Sequence, residues 1–141
     1  MASELANPQT DRSALTVEGQ TFEISKAAHF EAAHRLPGRR KGDPYGRVHG
    51  HSFRVEITVA GRVKPNERWV EDLAVVSNAL AGVTAQLDHQ MLNDVEGLDV
   101  PTLENIAVWI ANRLRIDLPN LSSVTLARPS LEERCTLRIT S

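Results

Sequence analysis

The sequence predicts an α+β fold in which a mostly antiparallel, four-stranded sheet packs against two helices, in the chain order ββααββ. Two observations predict this fold. Apolar and polar side chains alternate in two long segments near the start of the chain and two short segments near its end, as in half-buried strands. Between these segments, apolar residues recur at three- and four-residue steps, which is typical of amphipathic helices.

The two long segments predict a pair of neighbouring strands. The first covers about residues 21–34 and carries its apolar side chains at even positions. The second covers about residues 48–63 and carries them at odd positions from Phe53 to Val59. It ends at residues 64–66, where a Lys-Pro-Asn sequence is a turn signal.

Two helices are predicted from their apolar stripes and from the residues that precede them. Asp72 and Thr102 are expected to be the N-caps, because their side-chain oxygens can accept hydrogen bonds from free backbone N–H groups. Residues 88–94, between the helices, are predicted to be a loop, and Leu118-Pro119 is expected to end the second helix. The stripe of the first helix comprises Leu73, Val76, Leu80, Val83 and Leu87. The stripe of the second comprises Leu103, Ile106, Ile110, Arg113 and Leu114.

Two short strands are predicted at the end of the chain, joined by a turn over residues 129–133. Four strands and two helices leave one sheet face and both sheet edges without cover, which predicts an oligomer that forms through its edges. Val124, Leu126 and Arg128 share one face of the first short strand, and Cys135, Leu137 and Ile139 share one face of the second.

Length and composition indicate a single domain over residues 20–141, preceded by a polar extension, residues 1–19, that we expect to be disordered. The chain has 16 Lys and Arg against 18 Asp and Glu, which gives no electrostatic basis for binding nucleic acid. The one cysteine, Cys135, excludes an intrachain disulfide and fits a reducing compartment. No apolar run has the length of a signal peptide or a membrane span. We therefore expect a cytoplasmic protein with no membrane or nucleic-acid partner.

Three histidines continue the apolar faces of the two long strands. His34 shares the even parity of the first strand, and His49 and His51 share the odd parity of the second. Polar rings on apolar faces are costly unless their nitrogens are satisfied, either by hydrogen bonds in the core or by a metal. Three neutral imidazoles are good ligands of Zn²⁺ and leave one coordination position open. The pattern predicts a zinc centre at these three residues and leaves His29, on the polar parity, outside it.

The segment between the two long strands, residues 35–47, is rich in Gly, Pro and basic residues. Two interpretations remain open. The cations could bind a phosphate group through charge-assisted hydrogen bonds, or they could simply lie in solvent. The basic residues are Arg35, Arg39, Arg40, Lys41 and Arg47.

Five segments together resemble one family. They occur in order as FEAAHRLP at 30–37, GRVHGHSF at 46–53, WVED at 69–72, LDHQMLND at 87–94 and PTLEN at 101–105. They resemble the 6-pyruvoyl-tetrahydropterin synthase family, including its bacterial 6-carboxy-tetrahydropterin synthase branch. The resemblance covers about residues 22–140.

This resemblance implies a tunnelling fold (T-fold), in which sheet edges join subunits into barrel-shaped trimers and two trimers stack into a homohexamer. It implies a Zn²⁺ ion held by His34, His49 and His51. It implies a pterin-like ligand at subunit interfaces, with 7,8-dihydroneopterin triphosphate as the family's substrate. It also implies that an Asp–His pair, here Asp88 and His89, orients a cysteine that transfers protons.

Two positions depart from the family pattern. Tyr45 stands where the family has its cysteine, and tyrosine has a higher pKa than a thiol and is a poorer base at neutral pH. Arg128 stands where a glutamate anchors the amino group of the pterin, and a guanidinium can only donate hydrogen bonds. We assign catalytic roles to Asp88, His89 and Tyr45 and substrate-binding roles to Arg128, Thr102 and Glu104.

Three functional hypotheses follow. The first is a zinc-dependent lyase of pterin-like substrates whose specificity or activity is altered. The second is a non-catalytic protein that binds a pterin-like ligand on the same scaffold. The third is a cupin, because His49, His51 and Glu56 imitate a cupin metal motif, but Glu56 has the wrong parity and two central helices do not fit an all-β fold. A shifted alignment would also allow Glu132 or Glu133 to take the anchor role.

Overall fold

The computed structural model describes residues 14–140 and begins with the long hairpin that the sequence predicts. Strands β1 (Thr21–His34) and β2 (His49–Arg62) pair antiparallel along their whole length, from Thr21 opposite Arg62 to His34 opposite His49. The connection between them contains a 3₁₀ turn at Pro44–Gly46, which Asp43 caps by accepting a hydrogen bond from the Tyr45 N–H. The ends of both strands therefore meet at one end of the sheet.

The two helices also lie where the sequence predicts them. Helix α1 (Leu73–Ala85) begins after Asp72, whose carboxylate accepts from the Ala74 N–H at 2.9 Å. Helix α2 (Leu103–Asp117) begins after Thr102, whose hydroxyl accepts from the Asn105 N–H at 3.1 Å. Both predicted N-caps are confirmed, and α2 ends just before Leu118 and Pro119, as expected.

The sheet differs from the predicted four-stranded antiparallel sheet because it has a fifth strand. β3 (Gln90–Met91) lies within the predicted loop 88–94 and pairs parallel to β1 beside Ala32 and Ala33. The strand order is β3-β1-β2-β4-β5, with β4 at Leu121–Arg128 and β5 at Glu133–Arg138. Two residues are too few to show an alternating pattern, so sequence periodicity could not reveal β3.

Both helices cover the same face of the sheet. The hydrophobic core lies between the helices and this face. Two members of the predicted stripes are not in this core. Leu73, in the first turn of α1, is half exposed, and the Arg113 guanidinium lies 3.6 Å from the ring centre of Trp109. A guanidinium gains more by stacking on an indole at the surface than by burial. The largest fully buried side chains are Phe30, Phe53, Ile57, Leu80, Leu87, Leu92, Leu98, Ile106, Ile110, Leu114, Leu118 and Leu126.

The other face of the sheet carries polar side chains. Much of the outer edge of the sheet has no neighbouring strand in the described part of the chain. β3 covers only the end of β1, so the edge of β1 before Ala32 has no strand partner among the described residues, and β5 has none on its outer side. The hexamer stays a prediction. No helix in the described part of the chain is long and apolar enough to span a bilayer.

The predicted disordered extension, residues 1–19, falls mostly outside the described residues. Residues 14–20 contain neither helix nor strand, and the Gly19 N–H donates to the Val63 carbonyl at 3.0 Å. The boundary at residue 20 therefore stays a prediction, although β1 begins one residue after it.

Candidate metal centre

The hairpin register brings His34, His49 and His51 together on the helix-covered face. His34 lies directly opposite His49, and His51 lies opposite Ala32. The imidazole centroids are 4.6 Å apart for His34 and His49, 5.0 Å for His34 and His51, and 4.8 Å for His49 and His51. One ring nitrogen from each lies within 4.8 Å of the other two. This arrangement is the three-histidine cluster that strand parity predicts.

Backbone carbonyls orient two of the three rings. The Nδ1 atom of His34 lies 3.0 Å from the Pro101 carbonyl oxygen, and that of His49 lies 2.7 Å from the Arg47 carbonyl oxygen. Because a carbonyl only accepts, Nδ1 must carry the proton in both rings, and Nε2 keeps its lone pair. The Nε2 atoms of His34, His49 and His51 are all buried and have no hydrogen-bond partner among the described residues.

Burial lowers the pKa of two of the three imidazoles, those of His51 and His34. Burial, with smaller contributions from the positive charges of His34, Arg128 and His49, lowers the pKa of His51 from 6.5 to about 4. Burial also lowers the pKa of His34, against a raising effect of its hydrogen bond to the Pro101 carbonyl. Neutral imidazoles are the protonation state that a metal ion requires.

The donor set and its surroundings fit a divalent metal. Three unpartnered Nε2 lone pairs converge without any carboxylate, which is typical of a zinc site with three protein ligands and an open position. Phe53 lies beneath the rings, with centroid distances of 6.0 Å to His34 and 5.6 Å to His51, and stacks on Phe30 at 4.9 Å. This apolar floor closes one side of the centre.

Tyr45 borders the centre on the side of the basic segment. Its ring centroid lies 5.8 Å from that of His49, and the guanidinium of Arg39 lies 5.6 Å from the Tyr45 ring centre. Arg39 is also paired with Asp43, with 2.7 Å between Nη2 and Oδ2, so part of the local positive charge is neutralised. The segment therefore reaches the rim of the centre, and the structure favours neither interpretation of its cations.

Asp88 and His89 lie directly before β3. The His89 Nδ1 is 3.0 Å from a carboxylate oxygen of Asp88, and the Glu31 N–H donates to the other oxygen at 2.8 Å. That backbone bond, followed by the bond from His89, lowers the pKa of Asp88. His89 has a left-handed backbone, with φ of 59°, and a side chain that is 78% exposed.

A cleft of about 640 Å³ connects this pair to the histidine cluster. It is lined by residues from β1, β2, β3 and the turn before β5, including His51, His89, Glu31 and Ser130. A larger cleft of about 770 Å³ lies on the helix-free face and contains none of the three clustered histidines. Of these two clefts, only the smaller is lined by both a candidate metal ligand, His51, and a candidate proton-transfer group, His89.

The three predicted substrate-binding residues lie in two places, Arg128 at the end of β4 and Thr102 and Glu104 at the start of α2. Arg128 lies on the helix-covered side, is 12% exposed in its side chain, and pairs with Glu133, with 2.9 Å between Nε and Oε1. The Thr102 hydroxyl serves as the cap of α2, and Glu104 lies in the first turn of that helix and raises the pKa of Cys135 together with burial, which is the larger cause. Within residues 14–140, no hydrogen bond joins Thr102 or Glu104 to the clustered histidines.

Several groups that position the site were not identified from the sequence. The Pro101 and Arg47 carbonyls orient imidazoles, and backbone atoms carry no sequence signal for such a role. Asn93 joins the segments by accepting from the Arg35 N–H and donating to the Arg35 carbonyl, both at 2.9 Å. The only sequence signal for this role of Asn93 was its position in the segment 87–94, one of the five segments that carry the family resemblance.

An α+β protein with a three-histidine candidate metal centre is the class that the fold and site define. The chain belongs to the 6-pyruvoyl tetrahydropterin synthase family, whose model matches residues 23–140. It superposes on the structure of Caenorhabditis elegans 6-pyruvoyl tetrahydropterin synthase with a TM-score of 0.74 and 25% identity, covering 89% of this chain and 100% of that one. The family expected from the resemblance is confirmed.

Two curated relatives carry different functional names. The chain is 40% identical over 106 residues to the dihydroneopterin monophosphate aldolase of Pyrococcus furiosus, covering 75% of this chain and 84% of that protein. It is 42% identical over 107 residues to the 6-carboxy-5,6,7,8-tetrahydropterin synthase of Synechocystis sp., covering 72% and 81%. Similarity alone therefore does not select one reaction.

Proposed function

We propose that this protein is a zinc-dependent lyase that acts on a pterin-like substrate of the 7,8-dihydroneopterin phosphate type. The observation that carries the proposal is the convergence of three buried, unpartnered Nε2 atoms from His34, His49 and His51. Relatives named dihydroneopterin monophosphate aldolase and 6-carboxy-5,6,7,8-tetrahydropterin synthase support a pterin-like substrate. Zinc bound there would supply Lewis-acid polarisation of a substrate oxygen.

The chain's own residues would hold and move protons around that centre. Asp88 stays ionised and fixes the His89 ring, which lines the same cleft as His51. Tyr45 contacts the other side of the cluster through His49. His89 would exchange a proton with a substrate in the cleft, with Asp88 as the positioning residue, and Tyr45 would do so with a substrate bound on the His49 side of the cluster.

The substrate-binding assignments are Arg128, Thr102 and Glu104, of which Arg128 has the strongest support. Its position beside the cluster removes the acceptor that the amino group of a pterin needs, since guanidinium groups only donate. We therefore propose that the standard formation of 6-pyruvoyl- or 6-carboxy-tetrahydropterin is weak or absent. Thr102 and Glu104 would act from the start of α2, next to the Pro101 carbonyl that orients His34.

The proposed assembly is a homohexamer built from two trimers in the cytoplasm. The open edges of β1 and β5 in the described chain support edge-to-edge association, and family membership supports the ring arrangement. The one cysteine, Cys135, is half-buried on β5 and fits a reducing compartment.

The alternative is a protein that binds a pterin-like ligand without catalysis. The replacements at Tyr45 and Arg128 favour it, because both remove groups that the resemblance makes functional. The intact cluster and the Asp88–His89 pair favour the enzyme, since buried imidazoles are costly without a metal.

One experiment separates the two. The zinc-loaded protein is incubated with 7,8-dihydroneopterin triphosphate or monophosphate, and products are separated and identified by mass spectrometry. The enzyme predicts a new product that disappears with a chelator and in the His49→Ala/His51→Ala variant. Tight ligand binding without any product would establish the alternative, and zinc content measured on the same sample tests the metal.

A further inference from the structure

Arg128 lies beside the histidine cluster on the same face of the sheet. The preceding residue, Ala127, lies opposite Arg54 and is the last residue of β4 that pairs with β2. The next position along β2 is Phe53, and His51 is two residues further on the same face. The Arg128 charge contributes to the lowered pKa values of both His34 and His51, consistent with this proximity. Ser130, two residues after Arg128, lines the cleft that contains His51.

The ion pair of Arg128 is poorly directed. Its Nε lies 2.9 Å from the Glu133 Oε1 across the β4–β5 ladder, yet neither atom makes a hydrogen bond and both are buried. A guanidinium has five N–H donors in a planar fork, and one misdirected contact uses little of that capacity. A buried N–H donor that makes no hydrogen bond costs free energy. Glu133 therefore holds the guanidinium in place without satisfying it.

The charges around the cluster indicate what would satisfy Arg128. Three neutral imidazoles leave the full charge of a divalent metal uncompensated, because the cluster includes no carboxylate. Arg128 adds a further positive charge that Glu133 offsets. We propose that Arg128 is a specificity-determining residue, and that the group bound beside the histidine cluster is an anion, a carboxylate or a phosphate, held jointly by the guanidinium and the open metal position.

This inference deepens the proposed function, on which it rests for the metal. It names the chemical class of group that the site takes, and it excludes a neutral donor edge at that position. A carboxylate and a phosphate both match the geometry of a guanidinium fork. Glu133 would then exchange its contact with Arg128 for the incoming anion when ligand binds.

The test is isothermal titration calorimetry of the zinc-loaded, assembled protein with two probes, inorganic phosphate and succinate. A binding isotherm for one probe identifies which anion the site takes. Arg128→Gln is expected to weaken that binding about 10-fold or more, because it removes a charge-assisted pair. Arg128→Lys keeps the charge but loses the planar fork of the guanidinium. Its affinity for the anion should therefore lie between those of the wild type and Arg128→Gln.

Two further variants keep the proposal testable if Arg128→Gln does not fold. Glu133→Gln releases the guanidinium and is expected to tighten anion binding. Arg134→Gln is the matched control, because it removes the same charge from the neighbouring strand, from a side chain that lines the helix-free cleft. It should leave anion affinity within about 2-fold of the wild type.

The outcomes distinguish this inference from the proposed function. Absence of binding by both probes, or equal affinities in wild type, Arg128→Gln and Glu133→Gln, would overturn the anion assignment even where zinc is stoichiometric. Arg128-dependent binding in a protein that contains no zinc would uphold the guanidinium as the partner of the anion and would overturn the joint holding by the metal. Zinc content is therefore measured on every variant.

Discussion

His34 and His49 are the last opposed pair of the β1–β2 ladder, and their imidazole centroids lie 4.6 Å apart. Because strand side chains alternate between faces, a slip of one residue would turn one of these rings to the opposite face of the sheet. The register is fixed by a run of buried pairs below them, such as Phe30 opposite Phe53. The histidine centre thus depends on core packing far along the hairpin.

Metal content should depend on the clustered histidines alone. The His49→Ala/His51→Ala variant is expected to bind less than about a tenth of the wild-type zinc, because a single remaining imidazole holds the ion weakly. His29→Ala is the matched control, since His29 lies on β1 opposite Arg54, outside the cluster. Elemental analysis after gel filtration measures both. Stoichiometric zinc in the double variant would show that the ion binds elsewhere.

The metal-free protein should lose stability as the pH falls. The folded-state pKa of His51 is about 4, whereas the unfolded chain titrates near 6.5, so between these values only the unfolded chain binds the proton. The free energy of unfolding therefore decreases as the pH falls from about 6.5 towards about 4, and His34 acts in the same direction.

Replacing His51 should reduce this dependence. His51→Gln removes the titrating group, so the melting temperature of the chelator-treated variant should fall less between about pH 7 and about pH 4.5 than that of the wild type. Differential scanning fluorimetry measures the change. Identical slopes for the two proteins would mean that the partial burial of His51 does not lower its pKa.

Thr102 caps helix α2, and this role can be separated from its proposed role in substrate binding. Thr102→Ala should lower the free energy of unfolding by about 1 kcal/mol, because the Asn105 N–H loses its hydroxyl acceptor. Thr102→Ser keeps that acceptor and should stay near the wild type. Denaturant titration measures both, and calorimetry with a pterin ligand separates a binding role. Weaker binding by the serine variant, with unchanged stability, would restore Thr102 as a direct substrate contact.

Much of the fold and the metal cluster followed from local periodicity. Strand parity placed His34, His49 and His51 on one face, and the side chains of Asp72 and Thr102 marked both helix starts. Each of these features depends on residues only a few positions apart in one helix or strand. Over such short distances, the spacing in the sequence determines where the side chains lie. The hairpin itself then brought the two histidine segments together.

The remaining features depend on contacts between distant parts of the chain. Pro101 lies 67 residues from His34, and its contribution is a backbone carbonyl. The two-residue strand β3 forms where the Asp88 side chain and the His89 N–H bind the backbone of Glu31. The turn before β5, with Glu132 in a left-handed conformation, brings Glu133 against Arg128. No local pattern encodes these choices.

Tyr45 and His89 can be separated as proton-transfer groups by their kinetic effects. Tyr45→Phe keeps the ring beside His49 but removes the hydroxyl, and should lower kcat by about 100-fold if that hydroxyl moves the proton. His89→Gln is measured in parallel, with zinc content as the check on both. An unchanged rate in Tyr45→Phe together with a large loss in His89→Gln would assign the proton transfer to His89, whose ring Asp88 already holds at 3.0 Å.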